Sequence, residues 1–234
     1  MKSIEELTKA QNDLIDEIQA FAESNNLVSE KVCPIYDGVA DIEAYVRSSH
    51  KIMWILKEGY DDFDEKGNPI GGGWYMWNLW DKPDAWKQRS QVGMSYVLYG
   101  FRNNLTWGEL PAISRCRTMV NELKSIAYIN INKMPGQRKT TPARAQAKYN
   151  LWKNIINKQI ETYDPEVIIF GGTMRFFDID KEKLTHITTI SPDELPIEIY
   201  KLNNRWLISA VHPQLYSEVF VDGLIDALKI TANK

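Results

Sequence analysis

The chain is poor in the residues that build metal and redox centres. Its 234 residues include only two cysteines, Cys33 and Cys116, and three histidines. With no Cys-x-x-Cys pair, a four-cysteine zinc or iron–sulfur site within the chain is excluded and a disulfide framework is not supported; a reducing compartment fits. An excess of positive charge is also missing: 28 Lys and Arg stand against 31 Asp and Glu, a formal net charge of −3. That excludes a strongly basic nucleic-acid protein but not a local basic patch, because phosphate binding needs only a few placed cations and backbone amides. No apolar run reaches the length of a membrane span, so no membrane partner is expected. The N-terminal MKSIEELTKAQNDLIDEIQ is charged throughout and does not read as a signal peptide. A cytoplasmic protein is the expectation. Repeats and low-complexity tracts are absent, and so is the phosphate-binding GxxxxGK[ST] pattern.

Aromatic residues, in contrast, are plentiful and unevenly placed. Of the eight tryptophans, Trp74, Trp77, Trp80, Trp86 and Trp107 fall within one short stretch. They begin in the Gly-, Pro- and Trp-rich segment 65–84, which reads as a loop excursion. Around it, apolar spacing of helical period marks residues 4–23, and shorter helices are predicted at 41–50, 85–102 and 109–125. A helix over 142–162 has Pro142 near its first turn, and a closing helix covers 215–231. Uninterrupted apolar runs at Ile52–Leu56 and Val167–Phe170 read as strands buried on both faces. A further strand ends near Asn132, and residues 197–214 read as a β-hairpin turning at Asn203-Asn204.

Strands alternating with helices predict an α/β fold: one three-layer αβα domain over residues 1–234, with a central, mostly parallel four-stranded sheet and an N-terminal helical extension at 1–30. In such sheets reactive groups gather beyond the carboxyl ends of the strands. Four exits follow: Lys57-Glu58-Gly59, Asn132-Lys133-Met134-Pro135, Gly171-Gly172-Thr173 and His212-Pro213-Gln214. A carboxylate, an amide, a glycine turn and an imidazole are thereby expected on one edge.

The series WILKEGYDD, YININKMPGQR, DPEVIIFGGT and ISAVHPQ, in that order over residues 50–230, resembles the uracil-DNA glycosylase superfamily. The resemblance lies in motif order. The chain departs from it in two places: Lys57-Glu58-Gly59-Tyr60 lacks the proline of the usual first motif, and Gln214 stands where serine is usual after His-Pro. Only two cysteines remain where the iron–sulfur branch needs four. The resemblance implies a cluster-free glycosylase that flips a base out of DNA and hydrolyses its N-glycosidic bond without metal or cofactor.

Residue by residue, Glu58 is the candidate to place the attacking water, with Asp61 and Asp62 as rivals, and His212 the candidate to stabilise the departing base. Asn132 is the candidate base reader, with Asn130 in reserve on the same face of the strand. Trp74 or Tyr75 is the candidate to stack on the base, and the tryptophans together are candidates to build a wide pocket. Arg138 and Lys139 would hold DNA phosphates. Gln214, Leu215 and Tyr216 follow the His-Pro turn, where the superfamily carries the residue that wedges into the duplex. Each has a structural alternative: strand-end polar residues, loop capping, or aromatic packing of a loop onto the core. Two rival functions remain: a nucleic-acid-binding module without chemistry, and a hydrolase of free nucleosides or nucleotides.

Overall fold

The computed structural model describes residues 2–59, 61–80, 82, 84–137, 139–191, 193 and 195–233, with Leu79 and Trp80 as backbone only. Strand β2 (Ile52–Leu56) explains the architecture best, because all five of its residues are buried. Ile52, Trp54 and Leu56 enter one apolar cluster, whereas Met53 and Ile55 enter another. A strand buried on both faces needs a layer on each side, and side chains alternate between them.

The sheet has seven strands. Besides β2 these are β1 (Gly38–Val39), β5 (Ala127–Asn130), β6 (Val167–Gly171), β7 (Leu184–Ile190), β8 (Ile197–Leu202) and β9 (Arg205–Ala210), in the order β1-β5-β2-β6-β9-β8-β7. The inner β5-β2-β6-β9 set is parallel, and β1, β8 and β7 add antiparallel edges. A two-stranded hairpin, β3 (Asp62–Phe63) with β4 (Pro69–Ile70), stands apart. The four-stranded sheet expected from sequence is therefore the parallel centre of a larger one. β7 escaped notice because most of its residues are polar and its middle is exposed, so it carries no apolar run.

One face is covered by α1 (Ile4–Ser24), α2 (Ile42–Arg47) and α5 (Pro142–Tyr163), the other by α4 (Arg89–Asn103), α6 (Glu218–Ala232) and a 3₁₀ stretch, Arg117–Ser125. A short α3 (Met76–Trp80) adds Met76 to the second of these faces. α1 is no loose extension: Leu7, Leu14, Ile18 and Ala22 are buried in the α5-side cluster. It begins with a capping box in which Ser3 and Glu6 satisfy each other's backbone amides, at 2.7 and 3.1 Å. The helix predicted over 109–125 is a correction. Residues 110–116 are turns and bends before the 3₁₀ stretch, since Pro111 lacks an amide hydrogen and disfavours helical backbone just before it. Among the described residues no helix is long and apolar enough to cross a membrane.

Candidate active site

Register brings Glu58 and Asn132 together. Leu56 of β2 pairs with Asn130 of β5, and the ladder runs on past both strands, with Ile131 N–H donating to Leu56 O (2.9 Å) and Asn132 N–H to Lys57 O (3.0 Å). Asn132 Nδ2 then donates to Glu58 Oε2 (3.2 Å) and to Met134 O (2.9 Å), while its Oδ1 accepts from Met134 N–H (3.3 Å). Gly136 N–H donates to Gly59 O (2.7 Å), closing the two exits over each other. A side chain at Gly136 would set its Cβ 2.4 Å from Glu58 Cγ, so the approach requires glycine.

The two residues share a cavity of about 450 Å³, walled by Pro69, Pro135 and Gln137 and, on the α5 side, by Thr140, Arg144 and Lys148. Glu58 Oε1 is buried, and the Gln137 backbone amide acts on the carboxylate from the loop. Burial pushes the Glu58 carboxyl upward, opposed by the Asn132 hydrogen bond and the charge of Lys148. Arg144 is tethered to Gln137 Oε1. No aromatic residue lines this cavity among the described residues, which corrects the expectation of a tryptophan-built pocket.

The tryptophans have other work. Trp86 packs under the Arg117 guanidinium (4.6 Å), and Trp107 lies against Tyr96 (5.2 Å between ring centres). Tyr75 is stacked on both faces, by Tyr36 at 4.7 Å and Trp77 at 4.6 Å. It has no face left for a base and is withdrawn as the stacking residue. Trp74 lies beside the site, its Cζ2 3.4 Å from where a Cβ on Gly59 would stand. Hydrogen bonds from Tyr36 N–H to Trp74 O (3.1 Å) and from Gly73 N–H to Pro34 O (2.8 Å) hold that segment.

Asn130 is fully buried, and its side chain acts on the Tyr128 hydroxyl, opposing the upward shift that burial gives it. Tyr128 is its neighbour two residues back on the same face. Of the two amides, Asn132 is committed to the loop and to Glu58, and Asn130 is enclosed in the sheet interior beside Tyr128. Beneath them lies a feature absent from the sequence expectations. Lys133 and Asp37, both without exposed side-chain surface, form an ion pair at 2.7 Å. Asp37 also accepts from Gln159 Nε2 (2.9 Å) and from Asn130 N–H (2.6 Å). Burial depresses the Lys133 ammonium, and Asp37 opposes the shift. A buried pair like this is costly to create and more costly to break; only the placement of Lys133 beside Asn132 hinted at it.

His212 stands two strands away, at the end of β9, and does not line the cavity. Its Nδ1 accepts from Gln214 N–H (3.3 Å), capping the turn Pro213–Leu215. Burial, and secondarily the charge of Lys57, lowers its pKa to about 4. The imidazole is therefore neutral at pH 7, and with Nδ1 accepting, its proton sits on Nε2 as a donor. The intervening exit is small: Gly172 has φ +75° and donates its N–H to Ala210 O (2.7 Å). Thr173 Oγ1 donates to Ile55 O (2.8 Å), tying β6 to β2.

Of the remaining candidates, Leu215 is 54% exposed. Tyr216 is half-buried against Tyr96 (5.8 Å), with Arg89 over its ring (5.3 Å), so it packs rather than projects. Gln214 and Lys139 are exposed, and Gln214 O accepts from Arg89 Nε (3.1 Å). Arg138 lies outside the described residues. Asp61 turns away, its carboxylate accepting from Gly72 N–H at 3.2 Å. Lys57, Arg144 and Lys148 are the cations that sequence reasoning left without a role; the i, i+4 spacing of the last two on a predicted helix was the available signal. Among the described residues no three His, Cys, Asp or Glu side chains are grouped to hold a metal. Compared with protein-family models and with curated proteins, the chain finds no match.

Proposed function

We propose that the chain is a monofunctional DNA glycosylase that hydrolyses the N-glycosidic bond of a base flipped out of DNA. The observation that carries this reading is the half-buried Glu58 carboxylate, held by Asn132 and lining a cavity at the carboxyl end of a parallel sheet. A carboxylate so placed accepts a hydrogen bond from a water and favours positive charge developing on the sugar. Asn132 holds that carboxylate in position. A neutral imidazole at His212 offers an Nε2–H donor to the base as it leaves with the bonding electrons. Trp74 is the remaining aromatic candidate to stack on the base.

The exposure of Leu215 beside His212 favours DNA over a free nucleoside, since a wedge has use only where a base leaves a stack. The test is mass-spectrometric detection of free base after incubation with single- and double-stranded DNA carrying normal, deaminated and enlarged modified bases. Release by the wild-type protein that Glu58→Gln and His212→Ala each reduce by about 100-fold or more is the expected result. Retained binding with no release from any DNA would refute it in favour of a binding module.

A further inference from the structure

The reading above leaves the first residue of the β2 exit without a task. Lys57 is half-buried, and among the described residues its ammonium makes no ion pair or hydrogen bond. Its backbone is committed, since Lys57 O accepts the Asn132 amide (3.0 Å). Its side chain reaches toward β9. A Cβ built on Gly172 would lie 3.9 Å from Lys57 Cε and 3.9 Å from the backbone N of His212, with nothing nearer. Gly172 therefore leaves a gap bounded by the Lys57 chain end and the start of His212.

On the evidence of this gap, and resting on the glycosylase reading, we propose that Lys57 is a further catalytic residue whose ammonium stabilises the anion of the departing base. The water oxygen bonds to C1′, the C1′–N bond breaks with its electron pair leaving on the base, and one proton of the water passes to Glu58. The base anion takes up a proton on release. His212 supplies a directed donor without charge, and Lys57 supplies the charge. Placement agrees with its field: Lys57 opposes protonation of His212 and favours ionised Glu58. The charge acting on His212 is that of Lys57, just past β2; the Gly171–Thr173 exit of β6 is uncharged, and Arg89 of α4 reaches the turn that follows His212. The Arg89 guanidinium is turned to Gln214 O and the Tyr216 ring.

Two measurements on wild type, Lys57→Met and Lys57→Arg test this. In single-turnover release from DNA carrying uracil or 5-fluorouracil, with the wild type's own best substrate alongside, Lys57→Met is expected to lower release by about 100-fold. The loss should be smaller for 5-fluorouracil, the better leaving group, and Lys57→Arg should restore part of it. An NMR titration, which needs no turnover, should show the His212 pKa rising in Lys57→Met. Release unaffected by Lys57→Met, or an unchanged His212 titration, overturns this proposal alone. So does a borohydride-trapped adduct on Lys57, which would make it a nucleophile. A wild-type protein that releases no base overturns the glycosylase reading and this one with it.

Discussion

Holding His212 neutral has a measurable effect on stability. Its pKa is about 4 in the folded chain, against about 6.5 unfolded. The unfolded state therefore binds more protons between these values, and folding stability falls as pH falls from about 6.5 to about 4. The contribution is fully present above that window. Integrating the linkage relation gives a loss of about 2 kcal/mol between pH 7 and pH 5, and about 3 kcal/mol by pH 4. The perturbation is His212→Gln, which removes the titration but keeps an acceptor for the Gln214 amide. Urea unfolding of both proteins at pH 7 and pH 5 gives the comparison, since carboxylates elsewhere titrate alike in each and cancel. The wild type should lose about 2 kcal/mol more than the variant over this interval. Equal losses would show that His212 is not held neutral, and the assignment of Nε2–H as donor would fail with it.

Three further outcomes follow from the geometry. Asn132→Ala removes a hydrogen bond that lowers the Glu58 pKa, so the acidic limb of the pH–rate profile should move to higher pH; an unmoved limb would separate Glu58 from the chemistry. Lys133→Met leaves Asp37 buried and uncompensated and should cost about 3–5 kcal/mol in urea unfolding. Adding Asp37→Asn should recover a large part, and a Lys133→Met loss below about 1 kcal/mol would mean the pair is not buried as described. Leu215→Ala should reduce base release from duplex DNA by about 10-fold while sparing single-stranded DNA and the unfolding midpoint; equal effects on both substrates would remove the wedge role.

The parallel centre of the sheet was legible because its strands are buried on both faces and so read as unbroken apolar runs, Ile52–Leu56 and Val167–Phe170 among them. β7 was not legible: an edge strand with an exposed, Thr-rich middle carries no hydrophobic signal. Glu58 and Asn132 could be named because parallel topology sends successive exits to one edge, and register then sets them side by side. Stacking partners could not be read this way. That Tyr75 is enclosed between Tyr36 and Trp77 depends on a long-range meeting of segments 33–38 and 71–80, on which local pattern is silent. The Asp37–Lys133 pair was hidden for the same reason, its partners being 96 positions apart.

The segment carrying Trp74 is stitched to residues 31–36 by a run of backbone hydrogen bonds, from Gly71 N–H to Lys31 O through Met76 N–H to Tyr36 O. Ile35 N–H in turn donates to Lys133 O (2.7 Å). This braces Trp74 against the exit that holds Asn132, but it leaves the β3–β4 hairpin outside the brace. That hairpin's tip, Asp64 to Asn68, is closed by its own Asx hydrogen bonds, with the Asp64 carboxylate accepting from the backbone N–H groups of Lys66 and Asn68 and from Asn68 Nδ2. Residues 62–68 thus form the hairpin arm that leads into the Pro69 wall of the cavity. On the glycosylase reading, this arm can be shortened or exchanged without cutting the backbone bonds that hold Glu58 against Asn132.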